Sequence, residues 1–381
     1  MHYLDHAATT PVLPEVTEAM LPLLREHFGN PSSMHAFGRA ARTRVEDARE
    51  QVALAIGAAP SEIVFTGGGT EADNLALKGA THKRRGNGNH IVVTAFEHHA
   101  VLDTAEWLGG LGFELSVVPV PPDGVLLPGD VAAAVGPSTI LVSVMTVNNE
   151  IGTVQPIADV VRAVRGANPH TLVHTDAVQA LGNIPVDVHA WGIDLASFAA
   201  HKLGGPKGVG ALYVRSGVPV EAVIHGGGQE RGMRSGTLNV AAIAGFGIAA
   251  EIAAKEVGEK SERVRALRDR LHAGIMGAVP YALVNGSLDQ RIGGNLNVSF
   301  PGAEGETLLL LFDQRGIACS SGSACASGAV DPSHVLSAIG APPDQALSSV
   351  RFSLGRDSTQ EDVDAVLDVL PEVVAAARRN G

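Results

Sequence analysis

This sequence predicts an α/β fold: a large domain built on a mainly parallel seven-stranded sheet, with a smaller α+β unit beside it. Three observations carry that reading. From about Ser61 to Val214, short apolar runs alternate with longer amphipathic stretches. The apolar runs are continuous rather than alternating, which suits strands covered on both faces. Residues 242–276 then read as one long helical stretch, bridging to a C-terminal part in which strands and helices mix differently.

The opening MHYLDHAATT is strand-like. The strand candidates of the sheet are EIVFT (Glu62–Thr66), HIVVTA (His90–Ala95), ELSVVPV (Glu114–Val120), TILVSVM (Thr139–Met145), TLVHTD (Thr171–Asp176), DLASFAA (Asp194–Ala200) and VGALYV (Val209–Val214). Helix-like segments such as EADNLALKGATHKR and IADVVRAVRGA lie between most of them. After the long helix, NLNVSF and VRFSLG read as strands, and TLLLLFDQRG and EDVDAVLDVLPEVVAAARR as helices. No internal repeat, low-complexity tract or long linker interrupts the pattern.

Composition narrows the function classes. The 381 residues are 45% hydrophobic and 18% charged, an ordinary globular balance that excludes disorder and collagen. A net charge of −12 without a long Lys/Arg block argues against direct nucleic-acid binding and for solubility. The start lacks the pattern of a secretory signal, and the most apolar window, Val240–Ala254, falls short of the roughly 20 residues of a membrane span. A cytoplasmic location without membrane partners is therefore expected. Two cysteines, Cys319 and Cys325, are too few for a disulfide framework and lack further ligands for zinc.

Polar residues gather where strands end, which is the ligand-binding edge of an open α/β sheet. In DLASFAAHKLGGPKGVGALYVR a strand delivers His201 and Lys202 to a glycine-rich turn. A desolvated lysine beside another cation forms Schiff bases; a lysine at a strand end is otherwise a surface residue. In TLVHTDAVQ, Asp176 either holds a pyridine nitrogen protonated or caps a helix. In FTGGGTEADN, Gly69 and Thr70 open a helix whose free N–H groups favour a phosphate, although a glycine-rich helix start alone is weak evidence. His98 and His99 follow another strand: an imidazole there stacks on an aromatic cofactor, while metal binding finds no carboxylate or cysteine to complete a set. Asn148 and Asn149 follow TILVSVM and either bond a phenolic oxygen or cap a turn.

GIACSSGSACASGAV is the last element. Cys325 sits among small residues that favour a mobile loop, so its thiol is a travelling nucleophile or an incidental cysteine. Cys319 follows the apolar GIA and reads as a buried small residue.

Taken together, YLDHAATTP, FGNPSS, EIVFTGGGTEADN, EHHAVL, NNEIGTVQPI, HTDAVQALG, AHKLGGPKGVGALYVR, GGGQERGMRSGT, SSGSAC and SVRFSLGR resemble the cysteine desulfurases of NifS/IscS type, class-V members of the fold-type I pyridoxal-phosphate enzymes. The resemblance implies a homodimer with a large cofactor domain at 16–258 and a small domain from 1–15 and 259–381. It implies that Lys202 holds pyridoxal 5'-phosphate as a Schiff base, His98 stacks on the ring, Asp176 faces the pyridine nitrogen, and Gln179 and Asn149 lie near the phenolic oxygen. Gly69, Thr70 and His201 would bind the phosphate, with Thr237 reaching in from the other subunit, and Arg351 would pair with the substrate carboxylate. In the implied reaction Lys202 removes the Cα proton of L-cysteine, Cys325 takes the sulfur as a persulfide, and alanine leaves.

Sulfur acceptors implied by the family are an iron-sulfur scaffold protein and/or a tRNA-thiolation enzyme. No resident metal is expected beyond contact of Cys325 with a cluster during transfer. Two departures stand out: Ala199 occupies the place of a family serine that bonds the phosphate, and the chain ends soon after PEVVAAARRNG, where some relatives extend in a scaffold-docking tail. A class-V aminotransferase or selenocysteine lyase on the same scaffold, and a non-catalytic sulfur-carrier platform, are the competing readings.

Overall fold

The computed structural model describes residues 1–321 and 331–380. The chain enters through β1 (His2–Tyr3), α1 (Pro14–Arg25) and α2 (Ala36–Ala55). The large sheet is then laid down by β2 (Ile63–Thr66), α3 (Gly69–Arg84), β3 (His90–Thr94), α4 (His99–Gly110), β4 (Glu114–Val118), α5 (Pro128–Ala133), β5 (Thr139–Ser143), α6 (Ile157–Ala167), β6 (Leu172–Asp176), α7 (Val188–Trp191), β7 (Leu195–Ala199) and β8 (Gly210–Val214). All seven strand candidates form, each trimmed by a residue or two at its ends.

These strands pair in the order β2-β8-β7-β6-β5-β3-β4. The contacts β4-β3-β5-β6-β7 are parallel, whereas β8 runs antiparallel to both β7 and β2. Continuous apolar runs are explained by two covered faces. Val64, Ile91, Val93, Leu141, Leu195 and Leu212 pack with Ala72, Leu75, Val101 and Leu108 of α3 and α4. Phe65, Val92, Val142, Val173, Ala196 and Ala211 point the other way, towards Val45 and Val52 of α2 and Val160 and Val164 of α6. A one-residue slip of register would swap the residues packed on α3 and α4 with those packed on α2 and α6, so side-chain fit on the two covered faces fixes the pairing.

The remainder follows a long helix, α8 (Val240–Ala278), started by Asn239, whose side chain accepts from the Ala242 N–H at 3.2 Å. Then come β9 (Leu283–Val284), β10 (Asn295–Ser299), α9 (Gly305–Gln314), β11 (Ile317–Ala318), α10 (His334–Ala338), α11 (Pro343–Leu347), β12 (Ser349–Ser353) and α12 (Gln360–Asn380). A three-stranded sheet β12-β10-β9 forms here, and β11 takes β1 as a parallel partner. A separate apolar cluster unites Leu4 with Val264, Leu271, Leu296, Phe312, Phe352, Val363 and Leu370. The N-terminal segment is thereby drawn across to the C-terminal elements and past the edge of the large sheet. Among the described residues no helix is long and apolar enough to cross a membrane.

Candidate active site

At the C-terminal edge of the parallel strands lies a cavity of about 350 Å³. β3, β5, β6 and β7 each end at it, delivering His98, Asn149, Asp176 and Lys202 in turn. Gly69 and Thr70 come from the start of α3, Gln179 from the turn after β6, and Arg351 from β12. Thus most residues expected to hold a cofactor or substrate face one space, although they span residues 69 to 351 of the chain.

Lys202 closes a single tight turn, Ala200–Lys202, after β7. It is half-buried, and its Nζ donates to the Ala7 and Ala8 carbonyls at 2.6 and 2.8 Å. The Gln179 amide also donates to the Ala7 carbonyl, at 2.9 Å. Asp176 ends β6 with its carboxylate accepting the Val178 N–H at 2.9 Å, so it caps a turn and faces the cavity at once. Burial pushes the Asp176 carboxyl above the usual range, with His98 and Lys202 opposing.

His98 caps α4: its Nδ1 accepts the Ala100 N–H at 3.0 Å, which leaves Nε2 to carry the proton of the neutral ring. Burial holds this imidazole below its ordinary value. His201 is pushed down to about 4, by burial first and then by Lys202 and Lys207, so it is a neutral hydrogen-bonding ring at neutral pH; its Nδ1 lies 3.2 Å from Thr9 Oγ1. The two asparagines divide the tasks that the sequence left open. Asn148 is a turn cap, accepting from the Glu150 and Ile151 N–H groups, while Asn149 faces the cavity.

The expected phosphate end fits an anion. Gly68 has φ +155°, a Cβ on Gly69 would come within 2.7 Å of Val178, and one on Gly210 within 2.7 Å of the Gly68 backbone. Only glycine permits this approach. The first intrahelical bond of α3 runs from the Ala72 N–H to the Gly68 carbonyl at 3.1 Å, so the earlier N–H groups are open to an acceptor. Thr70, His201 and Thr9 surround the same opening. Ala199 is buried beside the cradle and offers no hydroxyl. The amine of Lys202, the Asp176 carboxylate, the His98 ring and the anion cradle would together suit an aldehyde-bearing pyridine phosphate.

Some expectations are corrected or fall elsewhere. Carboxylates do lie beside His98: atoms of Asp73, His98 and Asp176 come within 4.8 Å of one another, contrary to the sequence reading that none was at hand. The spacing of Asp73 and Asp176 along the chain hides this contact; the clue available was one carboxylate set in the apolar face of α3. Thr237 is exposed and does not line the cavity of its own chain. Cys325 lies outside the described residues. Cys319 is partly buried against the C-terminal apolar cluster, and burial pushes its thiol up to about 12.

The profile of the Aminotransferase class-V family matches residues 2–366. This chain belongs to the class-V aminotransferase family. Within that family it is 48% identical to the cysteine desulfurase IscS of Methanosarcina thermophila over 376 residues, 99% of this chain and 92% of that one. Among solved structures, a NifS-like protein superposes with a TM-score of 0.93 at 42% identity, covering 99% of this chain and all of the other. A structure of SspA in complex with cysteine gives a TM-score of 0.83 at 36% identity, with 93% and 99% of the two chains covered. The class-V fold expected from the sequence is the fold observed.

Proposed function

We propose that this class-V chain is a pyridoxal-phosphate-dependent cysteine desulfurase, converting L-cysteine to L-alanine and an enzyme persulfide on Cys325. The observation that carries the reading is the convergence of Lys202, His98, Asp176 and Arg351 on one cavity beside a glycine cradle. Bound pyridoxal phosphate supplies the electron sink that stabilises negative charge at the substrate Cα.

The chain's own residues do the rest. Gly69, Thr70 and His201 hold the phosphate, His98 covers the ring, Asp176 carries the charge facing the pyridine nitrogen, and Gln179 and Asn149 orient the phenolic oxygen. Arg351 holds the substrate carboxylate with its planar fork. Lys202, released from its own bond, takes the Cα proton at Nζ and returns a proton as alanine forms. The Cys325 thiolate attacks the substrate sulfur: an S–S bond forms, the carbon–sulfur bond breaks, and its electron pair goes to the carbon framework. Cys319, protonated well above neutral pH, is the wrong thiol for this step.

The reading includes a homodimer in which Thr237 serves the partner's phosphate site; its exposure outside its own cavity supports that assignment, as do the exposed Leu24, Phe28, Met34 and Phe37. It also includes a large domain at 16–258, a small one from 1–15 and 259–381, and transfer of sulfur to an iron-sulfur scaffold and/or a tRNA-thiolation enzyme. The cluster that unites Leu4 with residues from Val264 to Ala377 supports the small domain, while Ile292, Val335, Leu336, Ile339 and Ala346 pack into the cluster of the large sheet.

The test is incubation of the purified chain with L-cysteine, with assays for alanine and for an alkylatable persulfide. Wild type yields both, with the persulfide mapped to Cys325. Cys325→Ala keeps the cofactor's visible band but makes no alanine, and Lys202→Ala lacks the Schiff-base band. Undiminished alanine formation by Cys325→Ala would overturn the reading.

A further inference from the structure

Asp73 lies one turn into α3, between the buried Ala72 and Leu75, and is 1% exposed. It lines the same cavity as Asp176 and His98. Its Oδ1 has no hydrogen-bond partner among the described residues. The nearest ring, His174, has Nε2 at 3.6 Å from that oxygen, yet both His174 nitrogens are already engaged, with Ser143 at 2.8 Å and Ser197 at 3.0 Å. Burial pushes His174 down to about 3, so it brings no positive charge to Asp73.

The surroundings of Asp73 are therefore two carboxyls, Asp176 and Glu97, the neutral rings of His98 and His174, the Ser197 hydroxyl, and Lys202 across the cavity on the side of Asp176. Two carboxyls within 4.8 Å in dry surroundings do not both ionise. Their partners decide which keeps the charge. Asp176 accepts a backbone N–H and has the Lys202 cation to oppose its negative charge. Asp73 Oδ1 has no donor among the described residues, and burial and then Asp176 push its carboxyl well above the usual range, with a hydrogen bond from the Ser197 hydroxyl opposing them.

We infer that Asp73 is a positioning residue, the neutral acid of a one-proton carboxyl pair that leaves Asp176 as the single negative charge beneath the pyridine nitrogen. The inference rests on the proposed cofactor and deepens it: the fold supplies a second acid that shares one proton with Asp176. A second ionised carboxylate at this spot would repel Asp176 and overcharge the floor of the site.

Two measurements on the full chain test it. In the cofactor-free protein at pH 7, the infrared difference between wild type and Asp73→Asn shows a protonated-carboxyl C=O band that the variant lacks; carboxylate bands in its place overturn the inference. In the pyridoxal-phosphate-loaded protein, the pH titration of the visible absorbance in wild type shows a step that is missing in Asp73→Asn; superimposable titrations overturn it. The amide mimics a neutral acid, so Asp73→Asn keeps cofactor affinity within roughly threefold, whereas Asp73→Leu, lacking any polar group, loses about tenfold or more. Equal losses in both variants count against a protonated role. A wild type that takes up no cofactor refutes the proposed function, and the infrared result still decides the state of Asp73.

Discussion

Arg351 Nη2 donates to Asp5 Oδ1 at 2.8 Å, joining β12 to the first residues of the chain across 346 positions of sequence. Its Nη1 donates to the Asn149 carbonyl at 2.8 Å, and its Nε is buried without a hydrogen-bond partner among the described residues. The side chain is 2% exposed. A guanidinium held at two corners while it lines the cavity is preorganised for a carboxylate, and that rigidity is what lysine lacks.

Arg351→Lys keeps the charge and loses the fork. The expected result is a KM for L-cysteine raised on the order of 10- to 100-fold, with a smaller change in kcat and an unchanged cofactor band. Arg351→Ala loses more. Steady-state kinetics alongside the visible spectrum make the measurement, and an unaltered KM in both variants removes Arg351 from carboxylate binding.

How much of this could be read from residues alone depends on the range of the interaction. The buried strands were legible because runs such as ILVS and LASF can only be covered on both faces, and the site residues because each sits where such a run ends. Lys202, Asp176 and His98 announce themselves locally. Asp5 with Arg351, and Ala7 and Ala8 with Lys202, do not: these pairs are made by the N-terminal segment crossing to β12 and to the turn after β7, a topological event with no local pattern. β9, two residues long, was too short to leave an apolar period. Asp73 was hidden differently, as a carboxylate in a helix start whose glycines and threonine drew the phosphate reading.

Glu97 gives a pH prediction. It is fully buried, accepts from Thr94 Oγ1 at 2.6 Å and the Met145 N–H at 2.7 Å, and burial pushes its carboxyl up to about 8. An unfolded glutamate releases its proton near 4.3. Between those values the folded protein holds a proton that the unfolded chain has lost, so stability falls as pH rises through the window, by at most about 1.4 kcal/mol per unit, and levels off above it. Glu97→Gln cannot titrate. Thermal unfolding of cofactor-free wild type and Glu97→Gln from pH 5 to 9 should show wild type losing ground to the variant up to about pH 8 and then running parallel. A constant difference across that range means that folded Glu97 is ionised throughout.

The buried pair Arg49 and Glu230 carries the last prediction. Arg49 Nη1 and Nη2 each meet a Glu230 oxygen at 2.7 Å, the Phe65 N–H donates to the same carboxylate at 2.7 Å, and the side chains are 5% and 1% exposed. The pair ties α2 and β2 to a segment in which Glu230 and Arg231 take φ of +46° and +57°, a left-handed conformation unusual outside glycine. That segment leads to Thr237. Glu230→Ala leaves the buried Arg49 charge with the exposed Glu46 carboxylate and the Ile63 carbonyl, so it should cost about 3 kcal/mol, the low end for a broken buried pair, and lower Tm on the order of 5 °C. Replacing both with apolar residues of similar size, Arg49→Met with Glu230→Leu, removes the stranded charge and should cost less than Glu230→Ala alone, though Phe65 still loses its acceptor. Calorimetry of the single and double variants decides the matter: if the double variant is as unstable as the sum of the singles, the two side chains act independently, and the segment bearing Thr237 is held by something other than their ion pair.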